Sequence, residues 1–126
     1  MNRKVSFDFD GTLDRPKVQS YAQKLIALGF DVWVCTSRVA DEFAPTRDWN
    51  NDLYEVTDRL KIPRTQVHFC NHDHKYKYFQ DKKFVWHLDD HAFELSDINR
   101  YTTVAGIFVF GNNKWIGKCN KLLGIK

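Results

Sequence analysis

Short apolar segments alternate along this chain with longer segments in which apolar residues recur at helical spacing. The short segments are rich in β-branched and aromatic side chains, as buried strands are, and they occupy residues 5–9, 32–35, 66–70, 84–88 and 104–110. The helical spacing is found over residues 16–28, 48–60 and 115–123. The pattern predicts an α/β fold, with a doubly wound, mostly parallel five-stranded sheet and helices on both faces.

Length and composition favour one intracellular domain. The 126 residues contain no linker or repeat, so a single domain over residues 1–126 is expected, and 43% hydrophobic residues suffice for a core. The net charge of +3 is too small for a polybasic membrane anchor or an obligatory nucleic-acid binder. Three widely spaced cysteines indicate reduced thiols, and no apolar run approaches the ~20 residues of a membrane span. We therefore expect a cytoplasmic protein without a membrane partner.

Two carboxylates lie at the end of the first apolar segment. Asp8 and Asp10 stand two positions apart, so an extended backbone points both side chains to one side, and Gly11 permits a sharp turn after them. Open α/β sheets bind their ligands at the carboxyl ends of the strands, and backbone N–H groups in such a turn can face an anion. The segment therefore predicts a functional site rather than a strand that ends in a polar turn.

Together, four residues resemble the first signature of the haloacid dehalogenase superfamily, Asp-x-Asp-Gly-Thr: Asp8, Asp10, Gly11 and Thr12. In that family the first aspartate attacks phosphorus and becomes a phosphoaspartate, while the second protonates the leaving group and then activates water. The resemblance therefore implies these catalytic roles for Asp8 and Asp10. It also implies phosphate contacts for Gly11 and Thr12, and a Rossmann-like core.

Polar side chains also follow the second predicted strand, as Thr36, Ser37 and Arg38. The second family signature places a Ser or Thr hydroxyl here to bond a phosphoryl oxygen, which implies that catalytic role for Thr36, with Ser37 as the alternative register. An ST-turn or a helix cap is the structural alternative. Arg38 is expected among the substrate-binding residues at the mouth of the site.

Residues 39–47 predict a loop or broken helix near the site, and Trp49 is expected in the core.

Lys75 resembles the third family signature, a lysine early in the helix after the third strand that neutralises the phosphoryl group and steadies the nucleophile. It lies fourteen positions before Asp89, which leaves room for one short helix and one strand. Lys77 is the alternative, although a Lys-Tyr-Lys segment can equally be solvated surface.

Potential metal ligands precede this lysine, because His68, Cys70, His72 and His74 alternate along the chain. Such alternation is compatible with zinc, but no Cys-x-x-Cys or distant His pair completes a recognised spacing. The sequence therefore does not favour a zinc site here.

Asp89 and Asp90 end the fourth predicted strand and resemble the fourth family signature, a pair of aspartates that holds magnesium. Two ionised carboxylates ~5 Å apart repel by ~3 kcal/mol at an effective dielectric near 20, so four converging aspartates require a cation. Oxygen-only ligands favour Mg²⁺. The expected ligands are Asp8, the main-chain carbonyl of Asp10 and Asp89. Asp90 is expected either to join them or to bond Lys75.

The resemblance runs through nearly the whole chain with all four signatures in order, but no cap domain fits between Asp14 and Pro16 or after the third strand. It implies a Mg²⁺-dependent phosphomonoester hydrolase that acts through an aspartyl phosphate. An open site and a mildly basic chain favour a large phosphorylated substrate, a nucleotide or polynucleotide end. A phosphotransferase of the same family and a non-enzymatic module that binds phosphorylated ends are the alternatives, and the intact acids argue against the module.

Overall fold

The computed structural model describes residues 3–126, which contain one parallel five-stranded sheet. Its strands are β1 (Lys4–Phe7), β2 (Asp31–Thr36), β3 (Val67–Phe69), β4 (Phe84–Asp89) and β5 (Ala105–Phe108). Their order across the sheet is β3-β2-β1-β4-β5. The chain therefore winds outward from β1 to β3, returns to the other side of β1, and winds outward again to β5. The carboxyl ends of β1 and β4 lie side by side at the point where the winding reverses.

Helices cover both faces of the sheet. They are α1 (Pro16–Ala27), α2 (Asn51–Leu60), α3 (Lys75–Phe79), α4 (Ala92–Tyr101) and α5 (Lys114–Leu123). One buried cluster joins α1, α2 and α5 to one face, and a second joins α3 and α4 to the other face. This arrangement confirms the predicted doubly wound α/β fold.

Aromatic side chains fill the larger of the two clusters. The rings of Phe7 and Trp86 meet edge to face with centroids 5.3 Å apart, and those of Tyr21 and Trp115 do so at 5.2 Å. The Tyr21 hydroxyl donates a hydrogen bond to Asn120 Oδ1 at 2.6 Å, which satisfies the polar end of a buried ring. These contacts fix α1 and α5 against the two central strands, whose ends carry the candidate site.

Some predicted boundaries are wrong. The first strand ends at Phe7 rather than at residue 9, because Phe9 enters the turn that follows. The second helix begins at Asn51 rather than at Asp48. Trp49, expected in the core, therefore lies in the loop before the helix and is 46% exposed.

Helix α4 was not predicted, because its apolar positions are sparse. Only Leu95 and Ile98 are buried among its ten residues, and Phe93 is exposed. Two leucines assigned to apolar helix faces, Leu28 and Leu122, are also exposed. Leu28 lies beyond the end of α1, so its side chain falls outside the contact with the sheet.

The carboxyl edge of the sheet carries no cap in the part of the chain that the structure describes, as predicted. Asp14 leads almost directly into α1, and only residues 70–74 join β3 to α3. The predicted loop or broken helix over residues 39–47 contains a single 3₁₀ turn, Asp41–Phe43. Over residues 3–126, no helix combines the length and the apolar composition needed to cross a membrane.

Candidate active site

The carboxylates of Asp8 and Asp89 meet where the winding of the sheet reverses. Asp8 directly follows β1, and its N–H donates to the carbonyl of Leu88 in β4 at 2.9 Å. Asp89 is the last residue of β4, and the exposed fractions of Asp8 and Asp89 are 4% and 0%. Buried carboxylates are strongly destabilising unless cations or hydrogen-bond donors offset their charge. The groups around them therefore determine what the site can do.

Lys75 supplies a buried cation between these two acids. It is the first residue of α3, and its Nζ lies 2.7 Å from Asp8 Oδ1 and 2.6 Å from Asp89 Oδ2. Lys77, the alternative lysine, is half exposed and pairs instead with Asp73 at 3.1 Å. The structure therefore brings Lys75, and not Lys77, to the predicted nucleophile.

Asp89 has donors on both of its oxygens. Oδ2 accepts from Lys75 Nζ and from His87 Nε2 at 2.8 Å, and Oδ1 accepts from the N–H of His91 at 3.1 Å. Burial lowers the pKa of His87, so the imidazole is neutral, with its hydrogen on Nε2 and with Nδ1 accepting from the Ser6 hydroxyl at 2.9 Å. Burial opposes ionisation of Asp89, but the bonds from His87 and Lys75 outweigh it and hold the pKa of Asp89 well below its usual range.

Asp8 has fewer donors than Asp89. Burial raises the pKa of Asp8 against the attraction of Lys75, and the neighbouring charge of Asp89 adds to the increase. Thr12 Oγ1 lies 3.4 Å from Asp8 Oδ2, a weak contact. Burial also raises the pKa of Asp90. Because the two acids share Lys75 while Asp89 holds the additional donors, Asp89 is the more acidic partner, and Asp8 needs further positive charge to remain ionised.

The turn after Asp8 depends on Gly11. Its φ is +78°, in the left-handed region that favours glycine, which confirms the predicted sharp turn. A Cβ added to Gly11 would lie 2.1 Å from Asp90 Oδ2, so the Asp90 carboxylate packs directly on this backbone. The turn closes when the N–H of Leu13 donates to the carbonyl of Asp8 at 3.0 Å. Gly11 therefore sets both the path of the chain and the position of Asp90.

We expect Gly11→Ala to lower the rate of turnover at this site by about tenfold or more, because the new Cβ displaces Asp90. The positive φ adds about 1 kcal/mol of destabilisation. Gly29→Ala is the matched control, since Gly29 has φ +92° but nothing within 4 Å of its added Cβ. Thermal melts and kcat should show similar destabilisation in both variants and lost turnover in Gly11→Ala alone. Equal kcat in the two variants would contradict a role for the Gly11 contact.

Three carboxylates form a candidate metal centre. Oxygens of Asp8, Asp89 and Asp90 lie within 4.8 Å of one another, and across residues 3–126 this is the one group of acids, histidines or cysteines so arranged. Lys75 offsets a single negative charge, and His87 is neutral, so two negative charges are uncompensated. All the ligand atoms are oxygens, so the site fits Mg²⁺. The predicted alternative in which Asp90 bonds Lys75 is wrong, because Asp89 takes that place.

The Asp10 carboxylate lies outside this group, which corrects the expected convergence of four aspartates. Both of its oxygens accept from Arg38, at 3.0 Å from Nε and 2.8 Å from Nη2. Arg38 also donates to both oxygens of Asp52, at 2.7 and 2.9 Å, and to the carbonyl of Trp49 at 3.3 Å. Hydrogen bonds to Asp52 and Asp10 raise the pKa of Arg38. All five guanidinium N–H groups are therefore in use, and Asp10 is held at the mouth of the site.

Thr36 and Ser37 lie at the end of β2, next to Arg38. Thr36 is fully buried, and its Oγ1 accepts the N–H of Arg38 at 3.2 Å. This is the ST-turn geometry of the structural alternative, so a phosphoryl contact by Thr36 stays a prediction. Ser37 is exposed, and its carbonyl accepts the N–H of His72 at 2.7 Å.

Three supporting residues were not assigned a catalytic role from the sequence: Ser6, His87 and Asp52. Ser6 and His87 are paired in register on β1 and β4. Two polar residues inside otherwise apolar strands are the signal that could have found them. Asp52 carries no comparable signal, because an acid in the first turn of a helix is common for its effect on the helix dipole.

The chemistry of this site follows from its own geometry. Neither the scan of protein-family models nor the search of curated proteins gave a match to this sequence. The site combines a buried carboxylate–lysine pair, an excess of negative charge and a glycine turn, all at one open edge of the sheet. This combination can bind a dication and present a carboxylate to an anionic substrate.

Proposed function

We propose that this protein hydrolyses phosphate monoesters with the aid of Mg²⁺, through a phosphorylated Asp8. The observation that carries the proposal is the buried Asp8–Lys75 pair beside Asp89 and Asp90. An incoming phosphate would be repelled by three carboxylates alone. Lys75 and a bound dication would offset this repulsion, and the dication would also draw charge from the phosphoryl oxygens. Asp8, Asp89 and Asp90 are the side chains that would hold it.

In the first step, Asp8 forms a bond to phosphorus while the bond between phosphorus and the ester oxygen breaks. By the family resemblance, Asp10, once released by Arg38 and protonated from solvent, gives this proton to the departing oxygen, so the products are an alcohol and an aspartyl phosphate. Lys75 stays close to Asp8 Oδ1 and orients the attacking carboxylate. Asp8 remains the covalent carrier of the phosphoryl group until water arrives.

In the second step, water attacks the phosphorus and loses a proton to Asp10. The bond between Asp8 and phosphorus breaks, which releases inorganic phosphate and restores the free carboxylate. In both steps Arg38 has to release the oxygens of Asp10. Asp52 and the Trp49 carbonyl retain Arg38 at the mouth, and the donors that leave Asp10 become available to the substrate.

The assay that tests this proposal uses p-nitrophenyl phosphate and Mg²⁺, with p-nitrophenol and inorganic phosphate measured separately. Hydrolysis releases the two products in equal amounts. With glycerol added as an acceptor, an excess of p-nitrophenol over phosphate would instead indicate the phosphotransferase alternative. Mg²⁺-dependent binding of the ester without release of either product would favour the non-enzymatic module.

The open carboxyl edge favours a phosphate presented on a large body. Over residues 3–126 no cap encloses the site, and exposed aromatic side chains lie on the loops, on the strand ends and in the first turn of α4 at this edge. They are Phe43, Trp49, Phe93, Phe108 and Phe110. Exposed rings of this kind can stack on nucleobases, which supports a nucleotide or polynucleotide end over a sugar phosphate.

We expect phosphorylated oligonucleotides or nucleotides to be hydrolysed with higher kcat/KM than sugar phosphates. The advantage should fall as salt rises, because salt screens contacts to the phosphate backbone. Initial rates over a salt series with both substrate classes measure this. A preference of about tenfold for a sugar phosphate, unaffected by salt, would overturn it and indicate a cap supplied by a second subunit.

A further inference from the structure

A cavity in the described part of the chain lies away from Asp8, at the amino-terminal edge of the sheet. Its volume is about 820 Å³, within the range of small-molecule sites. Lys4 and Phe84 on its wall are the first residues of β1 and β4, whereas the candidate active site lies at the carboxyl ends of these strands. A ligand bound here would therefore be separate from the proposed catalytic centre.

The short length of α3 explains why this cavity exists. The helix begins at the carboxyl edge with Lys75 and has only five residues, so it extends about 8 Å. Strand β4 has six residues and extends about 20 Å. The helix therefore covers part of this face, and the chain returns to β4 through residues 80–83, which leaves the amino-terminal part of the face open.

Aromatic rings and lysines line the cavity together. The rings are Trp33, Tyr78 and Phe84. Lys4 Nζ lies 5.1 Å from the centroid of the Trp33 ring, and Lys82 Nζ lies 4.6 Å from that of Tyr78. An ammonium held over an aromatic ring presents its remaining donors to a ligand that stacks beside the ring.

The cavity wall has a strong positive charge. Arg3, Lys4, Lys82 and Lys83 line it, against the single acid Asp81. Within residues 3–126, no acid forms an ion pair with Lys4, Lys82 or Lys83, although four other lysine or arginine side chains do have such partners. The excess of positive charge on this cavity wall is therefore as large as the net charge of +3 of the whole chain. The wall is therefore suited to an anion.

Trp33 adds a buried donor without an acceptor. Its indole N–H is inaccessible to solvent and has no hydrogen-bond partner among the residues from Arg3 to Lys126. The nitrogen therefore does not face the open cavity, and a ligand bound there would contact the indole ring rather than this N–H. The N–H signal of Trp33 reports on the wall of the cavity.

We infer that this cavity binds an anion that carries a flat aromatic ring, of the chemical class of a nucleoside phosphate. The ring of Trp33 would stack on the base, with the nearly perpendicular ring of Phe84 beside it, and Lys4, Lys82 and Lys83 would bind the phosphate. Tyr78 would support the wall, because His68 already stacks on its ring. A free nucleotide and a nucleotide within a single strand offer the same chemistry. This site does not depend on the proposed phosphatase activity.

The experiment follows the indole N–H signal of Trp33 by NMR during a titration with AMP, with EDTA present so that no hydrolysis occurs. Trp33→Phe identifies the signal among those of the four tryptophans. We expect the Trp33 signal to shift and saturate. Adenosine and ribose 5-phosphate, which each lack one half of the ligand, should bind about tenfold more weakly or worse. A hexamer of adenylate that binds more tightly than AMP would identify the source as a strand, and equal or weaker binding would identify it as the free nucleotide.

Matched charge variants test the assignment of the lysines. Lys4→Ala/Lys82→Ala should weaken AMP binding by about tenfold. Lys118→Ala/Lys121→Ala, which removes the same charge from the exposed surface of α5, should leave binding unchanged. If the first variant does not fold, Lys83→Glu on the exposed loop gives the same test. An unmoved Trp33 signal, equal affinity for ribose 5-phosphate, or equal loss in the α5 variant would each overturn the inference.

Discussion

Asp8→Asn is expected to reduce phosphate release by at least about 10³-fold, because an amide cannot form the bond to phosphorus on which turnover depends. The change keeps the shape of the side chain and removes one of three neighbouring carboxylates. It therefore relieves repulsion at the site while Lys75 keeps its bond to Asp89. The melting temperature should stay the same or rise. Phosphate release and thermal melts, measured on the same preparations, provide the two readouts.

Asp14→Asn is the matched control for this variant. Asp14 is exposed and follows the same turn, so its substitution removes one negative charge close to the site without touching Lys75. Full activity in Asp14→Asn with none in Asp8→Asn would separate a covalent role from a general change of charge. Wild-type activity in Asp8→Asn would refute the covalent mechanism. Loss of activity together with a lower melting temperature would show a structural role for Asp8 instead.

Removal of divalent ions is expected to stop turnover, and Mg²⁺ is expected to restore it. The reason is the charge of the site, where three carboxylates face the single ammonium of Lys75. Without a dication, a phosphate dianion would meet net negative charge, and the pKa of Asp8 stays raised by burial. Rates measured after chelation, and then across a Mg²⁺ series, test this expectation.

Two variants test separately how Asp90 and Asp89 contribute to the requirement for a divalent cation. Asp90→Asn should raise the Mg²⁺ concentration needed for half-maximal rate, because Asp90 has no ion pair with Lys75 and its loss weakens the metal centre alone. Asp89→Ala should eliminate activity and also lower stability, since it leaves His87 and one bond of Lys75 without an acceptor. Activity that resists chelation would contradict the metal requirement. Better rescue by Zn²⁺ than by Mg²⁺ would instead support a zinc site among residues 68–74.

Local sequence was sufficient to predict the strand ends at which the residues of the candidate site lie. The apolar segments before Asp8, Thr36 and Asp89 are short and β-branched or aromatic, so they predict buried strands, and in parallel sheets such strands present their carboxyl ends at one edge. The glycine turn was predictable in the same way, because few other residues adopt φ near +78°. The exposed positions of Trp49 and Leu28 were not, since periodicity alone does not fix where a helix begins or ends.

Only the tertiary structure decided which charged groups meet. The winding of the sheet reverses between β1 and β4, and this reversal places Lys75 against Asp8, 67 positions away in sequence, and leaves Lys77 in solvent. It also places the Asp10 carboxylate against Arg38, which is bonded to Asp52 as well, rather than in the metal centre. Spacing along a strand specifies the side on which a carboxylate leaves the backbone. Long-range packing specifies the partner of that carboxylate, because a buried carboxylate is stabilised only by the donors that the fold places next to it.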